Sequence, residues 1–156
     1  MISRKRELEK AIAAALQNWA GDGMPNAQVY TSRQKHENGV AQIIVTCNTQ
    51  QPLEGIEEYV TRVQVSGAIV CNALVDNGTA AAIEELEILA ENFVEMETSN
   101  LLTKINAETE TITVTDFQPD QSDDGHDGDL QRYIARYSFT AFVITNPDPE
   151  PEEEGE

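Results

Sequence analysis

The chain has few of the residues on which enzymes and metal sites depend. Its 156 residues include two cysteines, Cys47 and Cys71, and two histidines, His36 and His126, which match no familiar zinc spacing. The sequence contains no phosphate-binding glycine loop and no recognisable Ser/His/Asp or Cys/His motif. We therefore expect a protein that is not an enzyme and that binds no cofactor and no metal.

Long apolar runs are also missing. No run approaches the roughly 20 residues of a membrane span. The basic start MISRKRELEK continues into an amphipathic pattern, which differs from the apolar core of a signal peptide. We expect no membrane association and a protein that is made and kept in a cytoplasm.

The two cysteines each fall on the apolar side of a predicted strand. If those strands pair antiparallel, the thiols lie toward opposite ends of the ladder, too far apart for a disulfide. We expect both to be buried and reduced, and to pack as small hydrophobic side chains.

Basic residues are scarce and unevenly placed. Ten bases against 28 acids give a net charge of −18. Residues 1–36 carry net +3, so the other 120 residues carry −21. A surface this acidic repels nucleic acid, whereas the basic segment could contact an acidic neighbour.

Hydrophobic periodicity predicts the following order of elements. Helices are expected over 3–19, 79–96 and 98–105, and strands over 27–31, 40–48, 59–72, 110–117 and 130–144. This order favours a single α+β domain over 1–145, a two-layer sandwich whose mixed or antiparallel sheet of four or five strands carries the helices on one face. The last residues, 146–156, read NPDPEPEEEGE and predict a disordered acidic tail.

The strand over 130–144 has the clearest pattern in the chain. Its apolar residues alternate with polar ones over six pairs, which is typical of a half-buried antiparallel strand. Arg132 and Arg136 share its polar side and could anchor ion pairs between subunits, although ordinary solvent-facing charges would give the same pattern. Long strands with few lysines also invite sheet extension by another copy.

Two acidic segments suggest chemistry only weakly. Asp120, Ser122, Asp124 and Gly125 match the first half of a calcium loop, but Gln131 stands where a bidentate glutamate is needed. We expect a solvated hairpin loop here. Glu84, Glu87 and Glu91 lie on the polar face of a predicted helix, where solvation is the ordinary explanation.

Taken together, the chain resembles the tail terminator, or tail-completion, proteins of long-tailed phages and prophages. The resemblance covers residues from about 3 to 145. It rests on RELEKAIAAALQNW, VYTS, VAQIIVTCN, YVTRVQVSGAIVCN, TAAAIEELEILAENFVEM and ITVTDF…RYIARYSFTAFVIT. Related neck and minor tail proteins share much of this pattern.

The resemblance implies a homo-oligomeric ring, usually a hexamer, on the last ring of the tail tube. Its partners would be the tail tube protein and a neck or head-completion protein. DNA would pass through without specific binding, and the protein would belong to the virion tail after assembly in the host cytoplasm. Arg4, Lys5, Arg6, Arg132 and Arg136 are candidate contacts with another subunit or the tube. Glu84, Glu87, Glu91, Asp123, Asp124 and Asp127 are candidates for an acidic lumen.

Two other classes of protein remain open at this point. An oligomeric α+β binding module that captures a partner by strand addition would explain the long strands equally well. An enzyme that uses the Asp-rich segment with Mg²⁺ or Ca²⁺ is the third.

Overall fold

The structure of the chain is a computed structural model. It describes residues 3–23, 29–32, 42–52, 62–74, 79–127 and 132–146. The predicted acidic tail lies outside the described residues beyond Asn146, whose own backbone N–H donates to the Thr111 carbonyl. No helix within these ranges is long and apolar enough to cross a membrane.

Three helices and five strands make up the described part of the chain. In chain order they are α1 (Arg4–Gly23), β1 (Val29–Thr31), β2 (Gln42–Pro52), β3 (Arg62–Leu74), α2 (Thr79–Val94), α3 (Thr98–Asn106), β4 (Ile112–Asp127) and β5 (Arg132–Thr145). Ser3 caps the start of α1, because its hydroxyl accepts a hydrogen bond from the Arg6 backbone N–H.

The strands form one mixed sheet in the order β1-β2-β3-β5-β4. Only β1 runs parallel to its neighbour β2, and the other pairs are antiparallel. This confirms the predicted α+β architecture, and five strands is the upper of the two expected numbers.

One face of the sheet forms the hydrophobic core with the helices. In β3 and β5 the core side chains occupy odd-numbered positions, from Val63 to Cys71 and from Ala135 to Val143. The helices contribute the predicted apolar positions Leu8, Ile12 and Leu16 from α1; Leu86, Leu89, Ala90 and Phe93 from α2; and Leu101 and Ile105 from α3. The opposite side of the sheet, which we call the open face, carries the even-numbered positions of these strands.

Two strands are longer than the sequence pattern predicts. β2 continues through residues 49–52, where a loop was expected, because these residues pair with β3 from Val63 to Ser66. β4 continues to Asp127, although the predicted strand ended at Phe117 and a solvated loop was expected from Asp120 onward. It pairs with β5 as far as Asp127 opposite Arg132, with irregularities after Val114 and Pro119. Backbone hydrogen bonds to β5 extend the strand through residues that have low strand propensity.

Candidate assembly surfaces

The charged residues of the central strands of the open face are all basic. The three central strands β2, β3 and β5 contain no acidic residue, although the chain contains 28. Their three bases are Arg62, Arg132 and Arg136, and all three occupy open-face positions in the register. Arg136 is exposed, and the Arg62 guanidinium lies 5.6 Å from the centre of the Phe142 ring.

Apolar side chains accompany these bases on the open face. Ile44 and Val70 are register partners in β2 and β3, and Val70 lies opposite Arg136 on its other side. Both apolar residues are half-buried, as is Ile134. The neighbouring positions Ala68 and Ser138 carry small side chains. The result is a low apolar area with an arginine at its margin.

The edge strand β4 brings the acidic residues of the same chain next to these arginines. The register pairs Asp123 with Arg136, and Asp127 with Arg132. Arg132 and Arg136 were predicted to face another subunit. The strand register places an acidic residue of the same chain opposite each of them.

The same strand does not provide a calcium loop. Asp120, Ser122, Asp124 and Gly125 all belong to β4, where the chain advances about 3.4 Å per residue. An extended backbone cannot wrap its oxygens around one ion as a calcium loop does. Among the residues that the structure describes, no cluster of three or more His, Cys, Asp or Glu side chains could hold a metal ion.

The outer surface of α2 is acidic with one apolar residue at its centre. The helix contains four glutamates and no base. Glu84, Glu85 and Glu91 are exposed, as is Glu95 just beyond the helix. Ile88 lies among them and is 53% exposed. We call Glu84, Glu85, Ile88, Glu91 and Glu95 the acidic face of α2.

Glu91 also connects α2 to the sheet. Its Oε2 atom accepts a hydrogen bond of 3.1 Å from the Tyr137 hydroxyl. Burial of the phenol raises the pKa of Tyr137, and the nearby Glu91 carboxylate raises it further. Glu87 is half-buried, so the three glutamates predicted for a lumen have different surroundings.

The first half of the acidic face of α2 and the acidic part of β4 lie toward the same end of the sheet. The Cys71 thiol donates to the Leu86 carbonyl of α2 at 3.5 Å. Cys71 pairs with Ala135, and Ala135 pairs with Asp124. Because adjacent strands lie about 4.8 Å apart, Asp124 is about 10 Å across the sheet from β3 at this level. The fold therefore brings the first half of the acidic face of α2 toward the end of the sheet that holds the aspartates of β4, whereas Glu91 lies nearer the middle, beside Tyr137.

The basic start of α1 lies toward the opposite end. The Lys5 backbone N–H donates to Gln50 Oε1 at 3.1 Å, and Gln50 pairs with Val65. Val65 and Cys71 are six residues apart on β3, or about 20 Å along the strand. Arg4 and Lys5 are both half-buried.

Arg6 differs from its two neighbours because it belongs to an internal cluster. Its Nη1 atom lies 2.8 Å from Glu9 Oε2. Glu9 is only 1% exposed, and it also accepts hydrogen bonds from the Ser32 hydroxyl and the Ser32 backbone N–H. The Cys47 backbone N–H donates to it at 2.9 Å. We call Arg6, Glu9, Ser32 and Cys47 the Glu9 cluster; it joins α1, the end of β1 and the irregularity in β2 after Cys47.

Sequence reasoning missed Glu9, although a signal was present. Glu9 precedes Ile12 by three residues and Leu16 by seven, which places it beside the apolar stripe of α1. A charged residue at such a position needs a partner, and Arg6 lies one helical turn before it.

Glu7 connects α1 to the residues just before β4. The Thr111 hydroxyl donates to Glu7 Oε1 at 2.8 Å, and the Lys10 ammonium lies 3.1 Å from Oε2. The hydrogen bond from Thr111 is the main reason why the pKa of the Glu7 carboxyl is lowered, and Lys10 adds to it. These contacts hold the first turns of α1 against the sheet.

The predicted state of the cysteines is confirmed. Cys47 and Cys71 are free and buried, and they pair with Gly67 and Ile43 respectively, four residues apart along the β2–β3 ladder. Burial raises the pKa of the Cys47 thiol well above its ordinary range. Burial also raises the pKa of Cys71 to about 12.

We expect neither cysteine to react with a maleimide in the folded protein at pH 8. The thiolate is the reactive form, and these thiols are both shielded and protonated at that pH. Mass spectrometry should find no adduct in buffer and two in urea, with free cysteine as the reagent control. Rapid labelling of the folded chain would contradict this placement.

The fold and these surfaces define the class of the molecule as a two-layer α+β protein with chemically unlike faces. No protein-family model and no curated protein sequence matches the chain. A solved structure with 16% identity has a similar fold, with a TM-score of 0.50 over 96% of this chain and 100% of the other. The name of that protein gives no activity, ligand or partner, so the similarity concerns the fold alone.

Proposed function

We propose that this chain is a structural subunit that forms a homo-oligomeric ring of six copies at the end of a phage or prophage tail tube. The ring ends tube polymerisation and offers the head or neck proteins a surface to bind. The observation that carries this proposal is a contrast in charge between two surfaces: the three central strands contain arginines and no acidic residue, whereas α2 contains four glutamates and no base. A subunit with two unlike faces suits head-to-tail contacts, and such contacts close into rings when the rotation between copies permits.

The acidic residues also suit a passage for DNA. A wall of like charge keeps a polyanion from adhering as it slides through. The acidic part of β4, with Asp123, Asp124 and Asp127, lies at the end of the sheet opposite the start of α1. We assign these aspartates to the opening of the ring, and the start of α1 to the contact with the tube.

The decisive test is to add the purified chain to polymerising tail tube protein from the same phage or prophage. Electron microscopy should show short tubes of uniform length, each ending in an extra ring. Bovine serum albumin at equal concentration serves as the control. Tubes that keep growing at the same rate, with no ring at their ends, would contradict the proposal.

Charge reversal at the start of α1 should weaken binding to the tube. We expect Arg4→Glu with Lys5→Glu to abolish capping at low salt, because the contact becomes repulsive. Arg6 is left unchanged, since its ion pair with Glu9 holds α1 to the sheet. The matched control is Lys104→Glu, an exposed position on α3, which should cap normally. Full capping by the double variant would exclude this role for α1.

A second candidate function has one observation in its favour. β1 pairs with only three residues of the eleven-residue β2, from Ile43 to Val45. The Glu9 cluster occupies the backbone of Cys47, so an extended peptide could add to β2 beyond it, along residues 49–52, in a strand-addition module. Light scattering distinguishes the two proposals, because a chain that stays monomeric or dimeric with tube protein present, and that binds extended peptides, fits the module and contradicts the ring.

A further inference from the structure

The exposed isoleucine on α2 has no evident use in a DNA passage. Ile88 is the one large hydrophobic residue that is strongly exposed among the residues whose side chains are described. An apolar side chain gains nothing from facing water or a sliding polyanion, but it gains free energy when it is buried against another apolar surface. A central apolar residue ringed by charged ones is also the usual arrangement of a protein interface, with its dry centre and polar rim.

The open face has the complementary arrangement. Ile44 and Val70 form an apolar pair in adjacent strands, and Arg136 is the next residue along the same row. The small side chain of Ser138 lies on the same face, two residues after Arg136 on β5.

We propose that the acidic face of α2 in one copy packs on the open face of the next copy. Ile88 covers Ile44 and Val70, while Glu84 and Glu85 lie beside Arg136, which pairs with Val70. The inference rests on the proposed function in that it supplies the head-to-tail contact of that ring. It assigns Glu84 and Glu91 to this contact rather than to the lumen, which is left to the aspartates of β4.

The size of the contact explains why it needs ring closure. A helix of 16 residues is about 24 Å long and about 10 Å wide. Such a strip is far smaller than the roughly 800 Å² per partner of a stable complex. A single contact is therefore weak, whereas a closed ring holds each copy through two contacts at once.

Cross-linking between engineered cysteines tests the contact directly. Copies carrying Asn92→Cys, one turn after Ile88 on the exposed side of α2, are mixed at high concentration with copies carrying Ser138→Cys. A short bismaleimide should join the two variants to each other. Each variant alone should give little product, because the contact is head-to-tail. The unaltered chain is the blank, since Cys47 and Cys71 are buried.

Two matched substitutions show whether the apolar centre matters. When the Asn92→Cys copies also carry Ile88→Lys, the yield of the cross-linked product should fall about tenfold, as expected for a residue at the centre of an interface. Thr103→Lys adds the same charge at an exposed position of α3 and should leave the yield unchanged. The same cross-linking with Ser99→Cys in place of Asn92→Cys measures how much product chance collisions between copies give. Circular dichroism confirms that each variant is folded.

The outcomes separate this inference from the proposed function. No product above the Ser99→Cys level, or a yield that Ile88→Lys leaves intact, would overturn the α2 contact. If tubes are still capped in that case, the ring stands and uses other surfaces. A strong specific product from a chain that builds open filaments and never caps tubes would support the contact and reject the tail function.

Discussion

Replacing Glu9 with glutamine is expected to lower the free energy of unfolding by about 3 kcal/mol, the lower end of the range for breaking a buried ion pair. Glutamine has nearly the shape of glutamate but carries no charge and offers one acceptor oxygen. Arg6, Ser32 and the Cys47 backbone N–H all donate to the Glu9 carboxylate. The variant would therefore leave donors without an acceptor in a site that is 1% exposed.

Urea unfolding followed by circular dichroism measures this change. The matched control is Glu85→Gln, the same substitution at an exposed position of α2, which should alter stability by less than about 0.5 kcal/mol. Equal stability of the two variants would mean that the Glu9 cluster contributes nothing to the fold. Arg6→Gln should also destabilise, but by less, because the Arg6 side chain is 28% exposed.

Replacing Gly67 with alanine is expected to destabilise the protein by about 3 kcal/mol, the upper end for overpacking. A Cβ atom at Gly67 would lie 2.9 Å from the Cys47 Cα and 3.1 Å from the Phe139 ring, and it would clash with the Thr46 carbonyl oxygen. Two of these three neighbours are backbone atoms of β2, which can move only if the strand pairing opens. The site is also next to the irregularity after Cys47, which the Glu9 cluster holds in place.

Thermal and urea unfolding should both show the loss. Ser66→Ala, one residue away on the open face, is the control, because Ser66 is half-buried and faces away from the core. It should change stability by less than about 0.5 kcal/mol. A Gly67→Ala protein as stable as the parent would show that β2 and β3 are farther apart here than described.

Local pattern predicted most of the elements correctly. The alternation from Tyr137 to Val143 identified the buried side of β5 because side chains of a strand alternate between its two faces. The spacing of Leu86, Leu89, Ala90 and Phe93 identified the buried side of α2 for the corresponding reason in a helix. A glycine inside a strand pattern, such as Gly67, indicates a bulge or a close backbone approach; the structure shows the close approach at Gly67, to the backbone of β2.

The misses occurred where a distant segment decides the conformation. Asp120 to Asp127 have the composition of a loop, yet they form a strand because β5 continues opposite them. Residues 49–52 were expected to form a loop and are held as strand by β3 in the same way. Local propensity has little influence where a partner strand offers a continuous row of backbone donors and acceptors.

The candidate assembly surfaces were predictable from the sequence only in part. The scarcity of bases and their positions were visible in the sequence, as was the acidic side of α2. The absence of acids from the three central strands became meaningful only when the sheet order β2-β3-β5 placed those strands together. The sequence shows that Arg6 lies three residues before its ion-pair partner Glu9, but its other partners Ser32 and Cys47 are 26 and 41 residues away and only the fold brings them to it.

The sequence by itself determined most of the helices and strands, which side of each is apolar, and that the thiols stay reduced. These properties follow from the spacing of neighbouring residues, which every segment carries within itself. The tertiary structure alone decided the strand order, the lengths of β2 and β4, the distant partners of Glu9 and the contrast in charge between the three central strands and α2. Each of these depends on pairing between segments far apart in the chain, and no local pattern encodes which segments will meet.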